Sequence, residues 1–378
     1  MENTCNELLE ICLQGDEWSP DLLDRALAVN EGRAFLSIVV ERLGDLFEPR
    51  LSAVYDRLFR DVIHRIAPEL APRIRPAGPG SRVAVNANRV YVLSRVTLGA
   101  DVAVTSVLLD AAKRRYPEAE IFFVGPRKNY ELFEVDPGIA HLPAPYARSG
   151  ALRERLAASA ALWIDDGIVL DSDSRLSQLG VLSLCDESCY FWFESRAYGG
   201  EGLGRLPDLA SAWAKEALGV EGAHPFIAPL ANTLPAVDIT VSLGVGDNPA
   251  KRMGNAFEKE LLLLLASTGA SILVDKGGSN EERERVEAAL QPGMFTHDGA
   301  FAPFAARVAG SKLFVGYDSA AGHVASACGV PLISIASGFA SDRAAARWRP
   351  KGTVLNGDAK NILGGVKHVL ASLRPPIR

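Results

Sequence analysis

Hydrophobic positions recur at helical spacing in the first 72 residues of the chain. Between Leu51 and Ile66 the apolar side chains stand three or four residues apart, which places them on one face of a helix. An earlier helix is predicted at "SPDLLDRALAV", where Ser19 is placed to cap the helix and Pro20 to occupy its first turn. The sequence therefore predicts an all-helical N-terminal extension over residues 1–75. Its apolar face is expected to pack within a small bundle, on the next domain or on a second subunit.

The pattern changes after residues 67–82, a segment rich in proline and glycine that predicts a linker. Short apolar strands then alternate with helices such as "DVAVTSVLLDAAKRRYP" and "LPDLASAWAKEALGV", an order typical of a parallel sheet covered on both faces. This alternation predicts a first Rossmann-like domain over residues 83–225. Its predicted strands lie in "RVYVLSR", "AEIFFVG", "ALWIDDG" and "CYFWFES".

A second proline-rich segment, "GAHPFIAPLANTLPAVD", precedes a second run of alternating strands and helices. This run predicts a second Rossmann-like domain over residues 236–358, and residues 359–378 are expected to form a C-terminal helix that packs back on the first domain. Two such α/β domains place a ligand-binding cleft between the carboxyl ends of their strands. The predicted strands of the second domain lie in "ITVSLG", "SILVDKGG", "KLFVGYDS", "PLISIAS" and "GTVLN".

Composition and charge narrow the class of protein. The 378 residues are 48% hydrophobic and 23% charged, with a net charge of −6, which is typical of a globular protein. The acidic balance argues against a nucleic-acid binder, since phosphates require a basic surface. The N-terminus does not resemble a secretory signal, the longest apolar run is too short to span a membrane, and the five cysteines fit a reducing compartment. A small molecule or another protein is the expected partner, and the cytoplasm is the expected location.

The segment "FVGYDSAAGHVASACGVP" carries the strongest candidate chemistry. Its predicted strand ends at Asp318 and a helix begins at Ser319, so free backbone N–H groups and the positive end of the helix dipole face the cleft and suit a phosphate. Small side chains at the start of this helix let a ligand approach the backbone, and a histidine follows one turn later. The alternative interpretation is that Asp318 and Ser319 only cap the helix.

Two further segments carry weaker signals. In "SLGVGDNPAKRMGNAF" a Gly-rich turn precedes Lys251 and Arg252, which are suited to neutralise a diphosphate; a solvated loop is the alternative. In "LSRVTLGADVAVTS" a strand leads to Asp101 at the start of a helix. A carboxylate that faces the cleft there is suited to act as a general base, and the alternative is that it only complements the helix dipole. The candidates for the acceptor side are Arg95, Asp165 and Asp166, the last two having loop capping as the alternative.

Taken together, these segments resemble glycosyltransferase family 9, the ADP-heptose lipopolysaccharide heptosyltransferase family, over most of residues 88–372. The most specific family pattern, v-G-x-D-S/T-G-x-x-H-l-A-x-A-x-G-v-P, is matched by "VGYDSAAGHVASACGVP". Two weaker family patterns are matched by "LGAD" with "AAKRRYPEAEI" and by "GDNPAKRM". The resemblance implies an α/β protein of GT-B architecture, in which two Rossmann-like parallel-sheet domains face a cleft.

The resemblance also implies a function. It implies an inverting glycosyltransferase that needs no metal or other cofactor and uses a nucleotide-diphosphate sugar, with ADP-heptose favoured, as co-substrate. Asp101 is then the catalytic base. The acceptor stays open among a glycan, a lipid-linked glycan, a protein and a metabolite, and so does a peripheral association with the inner membrane. The residues that the resemblance assigns to the donor are Lys251, Arg252, Asp318, Ser319, Ala320, Ala321, Gly322 and His323.

The sequence departs from the family pattern at three positions. Ala100 is inserted before the aspartate, Ala320 replaces a glycine, and Met253 replaces an aromatic residue beside the two cations. These departures keep two alternatives open: a non-catalytic sugar-nucleotide-binding or scaffold protein of the same fold, and a two-domain nucleotide-sugar epimerase. The helical extension has no counterpart in the family pattern, and it is the candidate surface for a homo-oligomer or a partner protein.

Overall fold

The computed structural model describes residues 2–76, 78, 86–230, 236–246, 251–336, 339 and 341–373. Along these ranges a helical extension is followed by two domains, each built around one parallel sheet. In the part of the chain so described, no helix combines the length and the apolar character that a membrane span requires.

The regular secondary structure of the N-terminal extension is helical, as predicted, with short turns between the helices. The Ser19 hydroxyl accepts a hydrogen bond from the Leu22 amide and so caps the second helix. A 3₁₀ turn and a π-helical turn, Phe35–Val40, connect the second helix to the third. The helices are α1 (Glu2–Gln14), α2 (Pro20–Ala28), α3 (Glu41–Asp45) and α4 (Pro49–Ile66).

The predicted apolar face of α4 is buried in a cluster that joins the other helices of the extension to the first sheet domain. Leu58 and Phe59 of α4 belong to one apolar cluster with Leu152, Leu156 and Leu182, which lie beyond the extension in the chain. A fully buried leucine or phenylalanine side chain contributes about 1.5–3 kcal/mol. The extension is therefore an integral layer of the molecule.

The first domain carries a five-stranded parallel sheet in the order β3-β2-β1-β4-β5. A π-helical turn, Asp101–Thr105, joins its first two helices. The strands are β1 (Arg89–Leu93), β2 (Glu120–Gly125), β3 (Ala140–Pro143), β4 (Ile168–Asp171) and β5 (Tyr190–Trp192). The helices are α5 (Leu98–Ala100), α6 (Ser106–Arg115), α7 (Arg127–Tyr130), α8 (Leu152–Ala160) and α9 (Leu206–Leu218).

One sequence-based expectation for this region is wrong, and the predicted linker is partly ordered. The segment "ALWIDDG" is not a strand: β4 begins only after it, and Trp163 within it is 53% exposed with the Arg73 guanidinium over its ring. Part of the predicted linker is also ordered, because Pro68–Arg73 forms a 3₁₀ helix and Ile74 makes a β-bridge with Leu182. The rest of that linker, residues 77 and 79–85, lies outside the described residues.

The second domain carries a six-stranded parallel sheet in the order β11-β10-β9-β6-β7-β8. Its central strands are apolar and buried on both faces, as in other sheets covered by helices. The strands are β6 (Ile239–Ser242), β7 (Ile272–Asp275), β8 (Phe295–His297), β9 (Leu313–Tyr317), β10 (Leu332–Ile335) and β11 (Thr353–Leu355). The helices are α10 (Asn255–Ala266), α11 (Asn280–Ala289), α12 (Phe301–Ala309), α13 (Ala320–Ala327), α14 (Asp342–Trp348) and α15 (Ala359–Ser372).

The C-terminal helix α15 packs on the second domain and not, as expected, back on the first. Ile362 and Val366 are buried in the core that also contains Ile239 of β6, and α15 lies against α10. The apolar face of α15 is therefore buried within the second domain. Residues 374–378 lie outside the described part of the chain.

Helix α14 makes the connection to the first domain and the extension instead. The Arg343 guanidinium donates to the carbonyl oxygens of Phe47 and Gly200, and Arg347 donates to the carbonyl of Tyr198 at 3.0 Å. The ring of Trp348 meets that of Phe47 edge to face, with centroids 5.9 Å apart. One short helix therefore binds all three parts of the molecule together.

Candidate functional site

A cavity of about 470 Å³ opens at the carboxyl ends of β9, β10 and β11 in the second domain. This is the edge of an open parallel sheet where ligands bind. Its floor is formed by strand ends and its outer wall by α14 and the segment that follows it. The lining residues include Asp318, Ser334, Phe339, Ser341, Arg349 and Asn356.

Helix α13 begins at this edge, directly after Asp318. Ser319 occupies the cap position with extended backbone, but its hydroxyl makes no capping hydrogen bond. The Oγ atom is buried and has no hydrogen-bond partner within the described structure. A buried unpaired hydroxyl costs free energy unless a ligand satisfies it. The arrangement therefore offers a polar atom and a helix N-terminus to an anion.

Lys251 reaches the same edge from the segment before α10. Its Nζ donates to Asp318 Oδ2 at 2.6 Å, and it lies 5.4 Å from the centroid of the Phe339 ring. The structure thus brings together two residues 67 positions apart that the sequence analysis assigned to one donor site. Residues 247–250 of the predicted Gly-rich turn lie outside the described residues.

Arg252 is held by carboxylates on the other side of the same segment. Its guanidinium lies 3.4 Å from Glu281 and 4.0 Å from Glu258, a buried residue that also pairs with Arg285. The Nε atom of Arg252 is buried and has no hydrogen-bond partner among the described residues. The Arg252 guanidinium is therefore held between protein carboxylates, with one buried N–H group left without a hydrogen bond among the described residues.

His323, one turn into α13, faces the first domain. Burial lowers the pKa of its imidazole, although the Asp318 carboxylate acts in the opposite direction. Its ring meets that of Trp348 edge to face at 5.7 Å. A Cβ atom placed on Gly99 would lie 3.1 Å from His323 Cδ2 and 3.2 Å from Ala320 Cα. The two domains thus come into close contact where α5 meets the start of α13, and Gly99 permits that approach.

Asp101 lies beside this contact, but its carboxylate is fully buried and lines neither of the two cavities described in this section. Oδ1 accepts from the Arg95 amide at 2.7 Å and the Thr105 hydroxyl at 2.6 Å; Oδ2 accepts from the Ser94 hydroxyl at 2.7 Å and the Asn129 amide at 2.6 Å. Burial raises the pKa of Asp101, while these hydrogen bonds oppose the shift. All four lone-pair positions of the carboxylate are therefore occupied.

The acceptor-side candidates fall at opposite edges of the first sheet. Arg95 follows β1 at the carboxyl edge, where its guanidinium donates to the Ser172 carbonyl at 2.6 Å. Asp165 and Asp166 precede β4, so the expectation that they end a strand is wrong. Asp166 instead pairs with Arg89 at the amino edge, away from the cleft.

A second cavity, of about 130 Å³, escaped the sequence analysis because its residues come from distant segments. Trp348 was likewise missed, since nothing in its local sequence links it to His323. The five arginines that line this cavity are far apart in the sequence, so only the folded chain shows that they share one site. These arginines are Arg95, Arg148, Arg155, Arg175 and Arg196.

The two facing parallel-sheet domains and the cleft-edge site define a GT-B fold, as expected from the resemblance. The fold is similar to that of E. coli heptosyltransferase WaaC with ADP (TM-score 0.56, 17% identity, 75% of this chain and 99% of that chain). It is also similar to a glycosyltransferase of family 9 from Veillonella parvula (0.53, 15%, 80% and 92%) and to E. coli ADP-heptose lps heptosyltransferase II (0.51, 16%, 75% and 98%). No family model matches the sequence, and neither does any curated protein.

Proposed function

We propose that the chain is a glycosyltransferase that moves a sugar from a nucleoside-diphosphate donor to an acceptor hydroxyl, with inversion and without a metal ion. The observation that carries the proposal is the 470 Å³ cavity at the carboxyl edge of the second sheet. The N-terminus of α13, the unpaired Ser319 hydroxyl and the Lys251 ammonium lie at or beside its edge. These groups suit a diphosphate.

ADP-heptose is the favoured donor. Two structures of similar fold, both of E. coli WaaC, contain ADP and ADP-2-deoxy-2-fluoro heptose. The favoured setting is the cytoplasm, with a peripheral place at the inner membrane if the acceptor is lipid-linked. The departures at Ala320 and Met253 lie beside the donor groups and bear on which sugar is accepted.

In the proposed reaction the acceptor oxygen attacks the anomeric carbon as the bond from that carbon to the diphosphate breaks. The acceptor's proton passes to Asp101, the base implied by the resemblance. Lys251, Arg252 and the N–H groups of α13 stabilise the negative charge that develops on the departing diphosphate. Because the Asp101 carboxylate has no free lone pair, the acceptor hydroxyl must replace one of its four present donors.

That requirement favours a second candidate, a sugar-nucleotide-binding protein without catalysis. A carboxylate whose lone pairs all accept hydrogen bonds from its own domain already has a structural role. The two candidates differ in one measurable product, the ADP released from ADP-heptose in the presence of glycan, lipid-linked glycan and protein acceptors. Nucleotide binding without ADP release with any of these acceptors supports the second candidate.

Nucleotide binding is tested by thermal shift with ADP, UDP, GDP and their sugars. A ligand that binds only the folded state stabilises it by about 2.7 kcal/mol at a hundred times its Kd, so Tm rises. We expect ADP to raise Tm, and Asp318→Ala and His323→Ala to reduce that rise. Asp208→Ala, at an exposed position of α9, is the matched control. A Tm that no nucleotide changes contradicts the proposal.

A further inference from the structure

The second cavity, called the arginine cavity below, is built by all three parts of the molecule. The extension contributes the α3 segment and Phe47, the first domain contributes the arginines, and α14 contributes Trp348. Two lining residues, Asp45 and Arg148, are exposed, so the cavity opens to solvent on that side. Its full lining is Glu41, Gly44, Asp45, Phe47, Arg95, Val96, Thr97, Ala100, Tyr146, Arg148, Arg155, Asp173, Arg175, Leu179, Arg196 and Trp348.

The charges in the arginine cavity do not balance. Five guanidinium groups face three carboxylates, which leaves an excess of two positive charges. Arg196 is 3% exposed and pairs with Asp173 at 3.2 Å, yet its Nη1 atom has no hydrogen-bond partner in the described structure. The Nη1 atom of Arg175 is buried and unpartnered as well. Buried N–H groups left unpaired cost free energy that an oxyanion would recover.

The cavity also offers an acceptor. Asp173 Oδ2 accepts from the Ser195 hydroxyl and from Arg196, whereas Oδ1 is buried without a partner. Asp173 is 1% exposed and has a φ of 69°, in the left-handed region that non-glycine residues rarely adopt. Backbone strain of this kind clusters at binding and active sites. The unpaired oxygen suits a hydroxyl group of a bound molecule.

The extension shapes this cavity directly. A Cβ atom on Gly44 of α3 would lie 3.4 Å from Arg175 Nη2, so the absence of a side chain there leaves the guanidinium room. Tyr55 of α4 stacks under the Arg196 guanidinium at 4.7 Å. The part of the chain without a counterpart in the family pattern therefore forms one wall and supports one of the two unpaired arginines.

The arginine cavity lies next to the residues proposed for sugar transfer. Arg95 lines the cavity with its side chain, while its backbone amide bonds Asp101. Trp348 lines the cavity and contacts His323 of the donor helix. A molecule in this cavity thus lies beside residues that contact Asp101 and His323.

We propose that the arginine cavity binds an oxyanion, a phosphate or a carboxylate, of the acceptor substrate, and that the helical extension completes this site. That the bound molecule is the acceptor substrate rests on the proposed function, whereas the binding of an anion rests on the cavity alone. Arg175 and Arg196 donate to the anion, and Asp173 accepts from a hydroxyl group of the same molecule. The substrate class is a hydroxylated molecule with a negative charge.

The test is calorimetric titration of the full-length protein with inorganic phosphate and, in parallel, with acetate. We expect saturable binding of at least one of these anions, which identifies the kind of oxyanion. Arg175→Gln removes a charge-assisted hydrogen bond and is expected to weaken binding about tenfold or more. Gly44→Val keeps every arginine, fills the cavity from the extension side, and is expected to weaken binding as well. Arg205→Gln, at an arginine of the first domain that does not line the cavity, is expected to leave the affinity unchanged.

Lys251→Gln distinguishes this site from the donor edge, which also suits phosphate. Anion binding that is lost in Lys251→Gln but kept in both Arg175→Gln and Gly44→Val overturns the inference, and so does the absence of binding to the unmodified protein. The Tm of each variant shows whether it has folded. ADP binding without anion binding removes only the acceptor inference, whereas anion binding without ADP binding removes the proposed donor function.

Discussion

The carboxylate of Asp101 makes four hydrogen bonds to its own domain, joining the segment after β1, α7 and the π-helical turn after α5. Asp101→Ala leaves these donors buried without a partner, at about 1–3 kcal/mol for each unpaired group, so we expect a loss of about 3 kcal/mol or more. Urea unfolding measures this loss. An Asp101→Ala protein as stable as the wild type contradicts the structural role.

Asp101→Asn separates that structural role from the proposed chemical one. The Asn129 Oδ1 atom is buried and unpartnered, so the Asn129 amide can turn to accept from a new amide at position 101. We therefore expect Asp101→Asn to stay within about 1.5 kcal/mol of the wild type. If Asp101 is the base, transfer falls by about 10²–10⁴-fold because an amide cannot accept the proton. A folded Asp101→Asn protein with unchanged turnover removes Asp101 from the mechanism.

Asp275, at the end of β7, makes stability depend on pH. Burial raises the pKa of the Asp275 carboxyl from its ordinary value of 3.8 to about 6. Between these two pH values the folded state holds a proton that the unfolded state has lost. The stability this group contributes is full below pH 3.8 and is lost as the pH rises through about 6. Asp275→Asn is therefore expected to be more stable than the wild type by about 1–2 kcal/mol at pH 7. The difference should vanish below pH 3.8; a constant difference in urea unfolding contradicts this assignment.

At the scale of elements, α13 and α14 both begin after a serine, but only one of the two hydroxyl groups caps its helix. The Ser341 hydroxyl caps α14 by accepting from the Ala344 amide at 3.1 Å, whereas the Ser319 hydroxyl bonds to nothing in the described structure. Ser341→Ala is expected to cost about 1 kcal/mol of stability. Ser319→Ala is expected to cost less than about 0.5 kcal/mol yet to weaken ADP binding about tenfold. Equal stability losses, or unchanged ADP affinity in Ser319→Ala, oppose a ligand role for Ser319.

The sequence allowed both sheets to be predicted because their central strands are continuous apolar runs. Three strands are not predicted: the edge strands Ala140–Pro143 and Phe295–His297, which are short and largely solvent-exposed, and the interior strand Ile168–Asp171, which follows the segment predicted in its place. The contiguous apolar residues of "ALWIDDG" predict a strand, but Trp163 lies at the surface against the Arg73 guanidinium. A run of apolar residues predicts that a segment is buried, but it does not show which other part of the molecule covers that segment.

The candidate site likewise has one part that the sequence predicts and other parts that it does not. The corner at Asp318 was predictable, because a strand, a helix start and a matched motif coincide in one segment. The arginine cavity was not predictable, because Arg175 and Gly44 meet only through the docking of the extension. The burial of Asp101 was missed for a similar reason, since Asn129 approaches it from a different helix.

At the scale of the whole molecule, the extension protects apolar surface of the first domain. Deletion of residues 1–72 exposes Leu152, Leu156 and Leu182, which are now buried against it. We expect the truncated protein to aggregate or to form oligomers, and its Tm to fall. Light scattering and thermal unfolding measure both effects. A truncated chain of unchanged mass and Tm would show that the extension is only an appendage.

The bonds made by α14 tie the second sheet domain to the rest of the molecule. Arg343 and Arg347 tie this helix to backbone carbonyls of the extension and the first domain, although its sequence belongs to the second. The two sheets cannot separate at α14 unless these bonds break. In any relative movement of the two domains that keeps these bonds, α14 stays with the extension and the first domain. A helix of seven residues that lies outside both sheets is thus shared by all three parts of the molecule.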